Sequence, residues 1–306
     1  MTAGDPEAHT LASGLAELTS GFSVEVTPRE APKVPHFGEV LAHGTRVYIT
    51  FLANTPFEDT LSLAARAVRE GMRPVPHLAV RAIPDRAALT GMVAALAEIG
   101  VTEVLVVAGS VSKPAGEYEE TMQVLRSGVL PEHGIIRIGV AGHPEGAPDI
   151  QAADLAAALA AKNALAAEQG IDMYLITQFC FAPEPIITWE REIRAAGNRL
   201  PIVIGLPGLT SPAKLLRFGL SCGIGPSLKV LRKQSGGVLK LATSSVYHPD
   251  QTMLGLVRAR TADPASLIRG VHFFPFGSLL RTAEWATQVS AGQFVVERND
   301  TLRVTA

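Results

Sequence analysis

The chain has few of the residues and segments that mark several common classes of protein. Only two of its 306 residues are cysteines, Cys180 and Cys222, and such sparse cysteine usage predicts reduced thiols in a cytoplasmic protein. No apolar run approaches the roughly 18 residues that a membrane-spanning helix needs. Residues 1–20 contain acidic groups and lack the basic and apolar regions of a signal peptide. We therefore expect neither a membrane span nor a secretion signal.

Charge and short motifs exclude further classes. The net charge is -2 and no basic run occurs, so the sequence predicts no nucleic-acid surface. No dinucleotide-binding GxGxxG pattern follows a predicted strand, and the GxxxxGKS/T, GxSxG and HExxH patterns are absent. The eight histidines are scattered along the chain, which predicts no metal site from spacing alone.

What the chain does contain is a series of eight short apolar runs, separated by Ala- and Leu-rich stretches with helical spacing. The runs are Phe22–Pro28, Val47–Ala53, Pro74–Val80, Glu103–Ser110, Arg137–Pro144, Met173–Phe181, Pro201–Gly208 and Gly270–Gly277. Near-continuous apolar strands that alternate with helices are typical of a covered parallel sheet. Eight such units predict an α/β fold of one domain, a closed (β/α)8 TIM barrel with its chemistry at the C-terminal ends of the strands.

The predicted barrel domain occupies residues 22–292, between an N-terminal lead-in over residues 1–21 and a C-terminal extension over residues 293–306. In the lead-in we predict one helix, over Leu11–Leu18, and in the extension a short strand or a packed segment. The first long helix of the barrel should cover Thr60–Glu70 and bury one stripe of residues. That stripe consists of Leu61, Ala64, Ala65 and Val68.

Later helices have clearer boundary signals. Asp85 is expected to be the N-cap of a helix, and the run Ala152–Gln169 should form a long helix ended by Gly170. The connection between the seventh and eighth strands is long enough for more than one helix. The candidates are Ser211–Leu220, Pro226–Gln234 and Asp250–Arg260.

Glu25 is the strongest catalytic candidate. In an extended strand, Ser23, Glu25 and Thr27 share one face, while apolar residues occupy the other. A carboxylate on a face that usually holds apolar side chains is desolvated, and desolvation raises its pKa toward the range that a general acid needs. The alternative is a structural ion pair between Glu25 and an Arg or Lys of a neighbouring strand.

Three further polar residues lie within the predicted apolar runs. His77 is compatible with a hydrogen-bonded core residue as well as with a functional one, whereas His143 lies in a Gly- and Pro-containing turn that favours function. Gln178 lies between Thr177 and Phe179, where an amide could bind the edge of a planar heterocycle with a donor and an acceptor together. Its alternative role is to satisfy neighbouring backbone groups.

Together these segments resemble the methylenetetrahydrofolate reductase family, from Phe22 to about Trp285. No single segment is specific, but seven occur in the order in which the family has them. They are residues 22–28 (FSVEVTP), 48–50 (YIT), 76–78 (PHL), 143–145 (HPE), 176–181 (ITQFCF), 207–209 (PGL) followed by Arg217 and Phe218, and 272–274 (HFF).

The resemblance implies roles for individual residues. Glu25 corresponds to the family's catalytic acid, Gln178 to its pterin contact, and Phe218 to a ring that stacks on folate or nicotinamide. The positions that correspond to flavin contacts are Thr50, His77, Gly109, Ser110, Tyr118, His143 and Lys162. Where the family usually has Arg-Gly-Asp or Gly-Gly-Asp after the fourth strand, this chain has Ala108, Gly109 and Ser110, so both charged groups are missing. We therefore expect FAD to bind weakly, with Lys113 as a substitute phosphate contact.

The implied function is the reduction of 5,10-methylenetetrahydrofolate to 5-methyltetrahydrofolate in one-carbon metabolism. The expected partners are small molecules, a folate and a nicotinamide dinucleotide such as NADH, with FAD as cofactor. One alternative is direct hydride transfer from NADH without flavin. Others are a methyltransferase-type barrel that binds methyl-folate without redox chemistry, and a barrel that binds folate or a partner without catalysis. The oligomeric state stays open, with a homo-oligomer among the options.

Overall fold

The computed structural model describes most of the chain. The described residues are 6–53, 55–109, 111, 113–147, 150–215 and 246–305. The predicted Pro226–Gln234 helix and the second half of the predicted Ser211–Leu220 helix lie outside these ranges. So do Ser110, Phe218 and Cys222.

Eight parallel strands form a closed barrel in the order in which they occur in the chain. They are β1 (Ser23–Val26), β2 (Arg46–Ile49), β3 (Arg73–Ala79), β4 (Glu103–Val107), β5 (Arg137–Gly142), β6 (Asp172–Thr177), β7 (Ile202–Pro207) and β8 (Ile268–Phe274). Each lies in one of the predicted apolar runs or overlaps it, so the (β/α)8 fold class is confirmed. The strands are apolar on both faces because one face lines the barrel and the other is covered by helices.

Helices cover the barrel and precede it. They are α1 (Pro6–Thr19), α2 (Phe37–Val40), α3 (Phe57–Arg69), α4 (Arg86–Glu98), α5 (Thr121–Arg126), α6 (Val129–Glu132), α7 (Ala152–Gln169), α8 (Pro183–Ala195), α9 (Asp250–Ala262) and α10 (Leu279–Ser290). The predicted Asp85 cap is confirmed, since its carboxylate accepts a hydrogen bond from the N–H of Ala88 at 2.8 Å. The predicted bounds of α7 are also confirmed, and Gly170 after it has a φ of 64°, the left-handed conformation that ends many helices.

The predicted apolar stripe of α3 is wrong. The helix buries Thr60, Leu63, Ala64 and Ala67, and Val68 is 37% exposed. Leu61 and Ala65 are only partly buried. The buried face includes the polar Thr60. The face predicted from apolar spacing alone therefore differs from the observed one by part of a helical turn.

The chain divides into two compact units. The first unit contains residues 1–24, 143–155 and 177–306, and the second contains residues 25–142 and 156–176. In the first unit, α1 packs against α9, α10 and β8 and buries Leu11, Leu15 and Leu18. The predicted lead-in helix is therefore longer than expected and is part of the packed unit. A small antiparallel pair, β9 (Phe294–Val296) with β10 (Leu302–Val304), confirms the predicted strand in the C-terminal extension.

A chain of ionic contacts connects the N-terminal ends of four strands in the second unit. The carboxylate of Glu103 lies 2.9 Å from the Nε of Arg46 and 3.2 Å from the Nε of Arg137. Arg137 also binds Asp172 at 2.8 Å. Each of these side chains belongs to the first residue of its strand, so the contacts fix the relative positions of β2, β4, β5 and β6.

Above this ionic cluster, two tyrosines fill the interior of the second unit. The hydroxyl groups of Tyr48 and Tyr174 hydrogen-bond to each other, and both rings are about 1% exposed. The guanidinium of Arg137 lies 4.8 Å from the centroid of the Tyr174 ring. A Cβ atom at Gly139 would lie 2.8 Å from the Tyr174 hydroxyl, so the glycine on β5 provides the space that this ring occupies.

The described part of the chain contains no helix long and apolar enough to span a bilayer. The boundaries of the predicted catalytic domain, residues 22–292, stay a prediction.

The Glu103→Gln variant tests the ionic cluster. Removing the carboxylate leaves two partly buried guanidinium groups facing a neutral amide. We expect a loss of about 2 kcal/mol in the free energy of unfolding, between the values of exposed pairs and fully buried pairs. The matched control is Glu297→Gln, whose exposed pair with Arg303 should contribute below about 0.5 kcal/mol. Urea titrations would measure both, and equal losses would contradict a structural role for the cluster.

Candidate active site

The predicted site residues belong to both units. The second unit contains Glu25, Thr50, His77, Gly109, Tyr118 and Lys162, and the first contains His143 and Gln178. Ser110 and Phe218 lie outside the described residues.

Glu25, the third residue of β1, faces an imidazole. Its Oε2 lies 3.5 Å from the Nε2 of His77 on β3, and the two side chains are 15% and 11% exposed. The alternative drawn from the sequence, an ion pair with an Arg or Lys, stays a prediction. An imidazole differs from a guanidinium because it can gain or lose a proton near neutral pH.

Thr50 directly follows β2, and its N–H donates to the carbonyl of Val26 at 3.1 Å. Its Oγ1 is buried and forms no hydrogen bond within the described part of the chain. A buried hydroxyl without a partner is costly, so a ligand that pairs with it would gain that free energy. Beside it on β2, Tyr48 places its ring edge against the ring of His77 at a centroid distance of 6.2 Å.

The connection after β4 is bonded to the connection after β3. The N–H of Arg81 donates to the carbonyl of Ala108 at 3.0 Å, and the carbonyl of Arg81 accepts from the N–H of Ala115 at 2.8 Å. The N–H of Glu117 donates to the carbonyl of Pro84 at 2.9 Å. These bonds hold the two connections together over several residues.

Two glycines permit this close approach. Gly109 has a φ of 88°, and a Cβ there would lie 3.1 Å from the Cβ of Ala79. A Cβ at Gly116 would lie 1.7 Å from the carbonyl oxygen of Pro84, which only glycine allows. The backbone around Gly109 is therefore packed against neighbouring chain.

Tyr118 and Lys162 are covered by the protein, with exposures of 6% and 8%. Burial, followed by the charge of Glu117, raises the pKa of Tyr118. Burial lowers the pKa of Lys162, although the charge of Glu120 opposes that change. Lys162 forms no hydrogen bond or ion pair with any other described residue. Of the seven positions that the resemblance assigns to a flavin, Tyr118 and Lys162 are thus covered by the chain, and Gly109 packs against Ala79.

In the first unit, Gln178 follows the last residue of β6 and is exposed. Its Oε1 accepts a hydrogen bond from the N–H of Phe179 at 3.1 Å. The backbone on either side is held by β7, since the N–H of Gly205 donates to Oγ1 of Thr177 at 2.8 Å and the N–H of Cys180 donates to the carbonyl of Gly205 at 3.1 Å. A fixed backbone with an exposed amide suits ligand recognition.

An aromatic cluster lies next to Gln178. Phe179 and Phe181 are buried with Leu215, and the cluster is completed by Tyr247, Phe274 and Phe276. Phe179 makes edge-on contacts with Phe181, Phe274 and Phe276 at centroid distances of 5.0–5.8 Å. The sequence indicated phenylalanines at the ends of two strands but did not identify Tyr247 and Phe276 as candidate site residues. Their aromatic side chains in the connections after β7 and β8 are the feature that could have pointed to them.

Two histidines of the first unit have different environments. His143 follows β5 and is half-buried. His272 on β8 is fully buried, and its Nδ1 lies 2.9 Å from the Oγ of Ser23 on the paired strand β1. Cys180 is buried, and burial raises the pKa of its thiol. Among the described residues, no three His, Cys, Asp or Glu side chains lie close enough together to hold a metal ion.

Both a family model and solved structures match this chain. Residues 22–225 match the family model of methylenetetrahydrofolate reductase. A solved structure of oxaloacetate acetylhydrolase in complex with the inhibitor 3,3-difluorooxalacetate aligns with a TM-score of 0.46 and 12% sequence identity, covering 89% of this chain and 81% of that one.

The Lys162→Met variant tests whether Lys162 is structural or binds a ligand. A buried ammonium without an ion pair destabilises the fold, so methionine should raise the free energy of unfolding at pH 7 by on the order of 1 kcal/mol. The pKa of Lys162 in the folded protein lies below its ordinary value of 10.5. The free energy of unfolding of the wild type should therefore rise as the pH increases from that lowered pKa to 10.5. The variant should lack this rise.

Thermal unfolding between pH 7 and 10.5 measures the effect, with the exposed Lys33→Met as control. A destabilised Lys162→Met variant, or one whose only defect is weaker cofactor binding, would contradict the structural assignment.

Proposed function

Because the chain belongs to the methylenetetrahydrofolate reductase family, we propose that it reduces 5,10-methylenetetrahydrofolate to 5-methyltetrahydrofolate with NAD(P)H. The observation that carries the proposal is the placement of Glu25. Its carboxylate is largely buried, lies near the C-terminal end of the first barrel strand, and faces an imidazole that can supply a proton. Active sites of such barrels lie at this end of the strands.

The chemical requirement of the reaction matches this carboxylate. Protonation of one bridging nitrogen opens the five-membered ring and leaves an iminium at the one-carbon unit. Hydride then adds to the iminium carbon, and the nicotinamide is oxidised. In this proposal Glu25 donates the proton, which is a step that a general acid accelerates by about 10²- to 10⁴-fold.

The hydride passes directly from the nicotinamide to the folate in the proposed reaction. The resemblance alone implies FAD, but Ala108 replaces the family's Arg, and Tyr118 and Lys162 are covered by the chain. A lost charge-assisted phosphate contact costs about 1.5–3 kcal/mol. Direct transfer, an alternative that the sequence left open, requires none of these contacts. The proposed reductant, NAD(P)H, includes both NADH and NADPH.

Folate recognition is assigned to Gln178 and Phe218. The Gln178 amide is exposed on a fixed backbone, so its donor and acceptor can bind the pterin edge at the cost of the bond to Phe179. The role of Phe218 in stacking rests on the resemblance. The enzyme is further proposed to be a cytoplasmic protein of one-carbon metabolism with its catalytic domain in residues 22–292, without nucleic-acid partners.

The Glu25→Gln variant tests the proton step. It preserves shape and hydrogen-bonding capacity but cannot donate a proton, so kcat for folate reduction should fall by roughly 10²- to 10⁴-fold. Folate binding, measured by calorimetry, should change little. The control is Glu30→Gln, a nearby carboxylate that accepts a hydrogen bond from the Thr27 hydroxyl. Near-normal turnover of Glu25→Gln would remove this residue from the mechanism.

Steady-state kinetics test the direct hydride route. If both substrates must be bound together, double-reciprocal plots at several folate concentrations should intersect, and activity should not depend on added FAD. Parallel lines, with a yellow protein whose activity follows its flavin content, would establish a flavin intermediate instead. Folate binding without NAD(P)H oxidation would favour the methyltransferase-type alternative.

A further inference from the structure

The arrangement of Glu25 and His77 bears on how Glu25 regains its proton after each turnover. Reduction of the methylene bridge consumes one proton per turnover, so the acid must be recharged. The ordinary pKa of a glutamic acid is about 4.3, and an isolated one would be ionised at neutral pH. The side chain that faces Glu25 across 3.5 Å is His77, which has an ordinary pKa of about 6.5 as a free residue type.

We propose that Glu25 and His77 act as one acid, in which His77 supplies the proton that Glu25 delivers. This inference rests on the proposed function and assigns His77 a role other than the flavin contact that the resemblance implies. The distance between Oε2 and Nε2 is slightly long for a hydrogen bond. Catalytic hydrogen bonds often shorten only when substrate is bound.

The pair explains how a proton remains available to Glu25 at neutral pH. A carboxylate within about 4 Å stabilises an imidazolium and raises its pKa. In the proposal the pair holds one shared proton, and its two groups titrate together. The proton resides on Nε2 between turnovers and passes through Oε2 to the substrate, so that Glu25 delivers the proton that His77 supplies.

Two neighbouring strands of the second unit place uncharged side chains beside His77. On β2, Tyr48 touches the His77 ring, and burial, followed by the charge of Glu103, raises the pKa of Tyr48, so this phenol stays neutral. On β4, the register partner of His77 is the apolar Leu105. The charged Arg46 and Glu103 lie at the opposite ends of their strands and bind each other.

The proton balance of the step is complete with water as the proton source. The Nε2–H bond of His77 breaks as its proton passes to Oε2 of Glu25, and the new O–H bond breaks as the proton moves to the bridging nitrogen, whose bond to the one-carbon unit breaks. The neutral imidazole then takes up one proton from water, which restores the pair. The electrons of the reduction come only from the nicotinamide hydride.

The first measurement is the pH dependence of kcat/KM for the full-length wild type, His77→Gln and the exposed control His9→Gln. Without the imidazole, the alkaline limb should be governed by Glu25 alone and move down by about two pH units, the difference between ordinary His and Glu values. At pH 7.5 this corresponds to a roughly 10- to 100-fold loss that is recovered toward acidic pH. The control should follow the wild-type limb. A uniform loss at every pH would show that His77 only shapes the site and would overturn the proposal.

The second measurement does not depend on turnover. The ring resonances of His77, assigned by comparison with His77→Gln, would be titrated by NMR in the wild type and in Glu25→Gln. Removing the carboxylate should lower the His77 pKa by at least about one unit. An unchanged pKa would overturn the pairing even if the enzyme reduces folate, whereas a shifted pKa in a protein without folate reduction would contradict the proposed function alone.

Discussion

At the N-terminal ends of β2, β4 and β5, one carboxylate lies between two guanidinium groups. Glu103 binds Arg46 and Arg137, and without it the two cations would have no compensating charge between them. The tyrosine pair depends on the same contacts, because Arg137 lies against the ring of Tyr174, whose hydroxyl bonds to Tyr48. Charged groups are therefore concentrated at one end of these strands, and the interior above them is filled by neutral, mutually bonded side chains.

The same contacts support the candidate catalytic side chains at the other end of the strands. Tyr48 is held through its hydroxyl, and its ring edge supports His77, which faces Glu25. The catalytic candidate is thus supported by a sequence of contacts that begins in the ionic cluster. A pair that shares one proton needs such support, because a small rotation of either side chain would separate the two atoms. The buried Thr50 hydroxyl nearby in the chain adds a polar atom that is available to a ligand.

The connection after β4 differs from the usual pattern of the family. The chain lacks the Arg and Asp that usually follow the fourth strand, and Gly109 and Gly116 allow the connection there to pack against residues 79–84. Glycine at these positions removes the side chains that would keep the two connections apart. The proposed role of Glu25 does not depend on the cofactor, because protonation of the folate is required whether the hydride comes from a flavin or from a nicotinamide.

The order of the strands and the α7 helix could be predicted from the sequence because both depend on local periodicity. The sequence also singled out Glu25 as an acidic residue in an apolar strand, and its catalytic role stays a prediction. The resemblance of short segments added the family. The α3 stripe was predicted incorrectly because apolar spacing does not show that a threonine can occupy the buried face. The partner of Glu25 is 52 positions away along the chain, and Tyr48 and Tyr174 are 126 apart, so neither contact leaves a periodic signal. Only the closed barrel, which sets the register between strands, brings these side chains together.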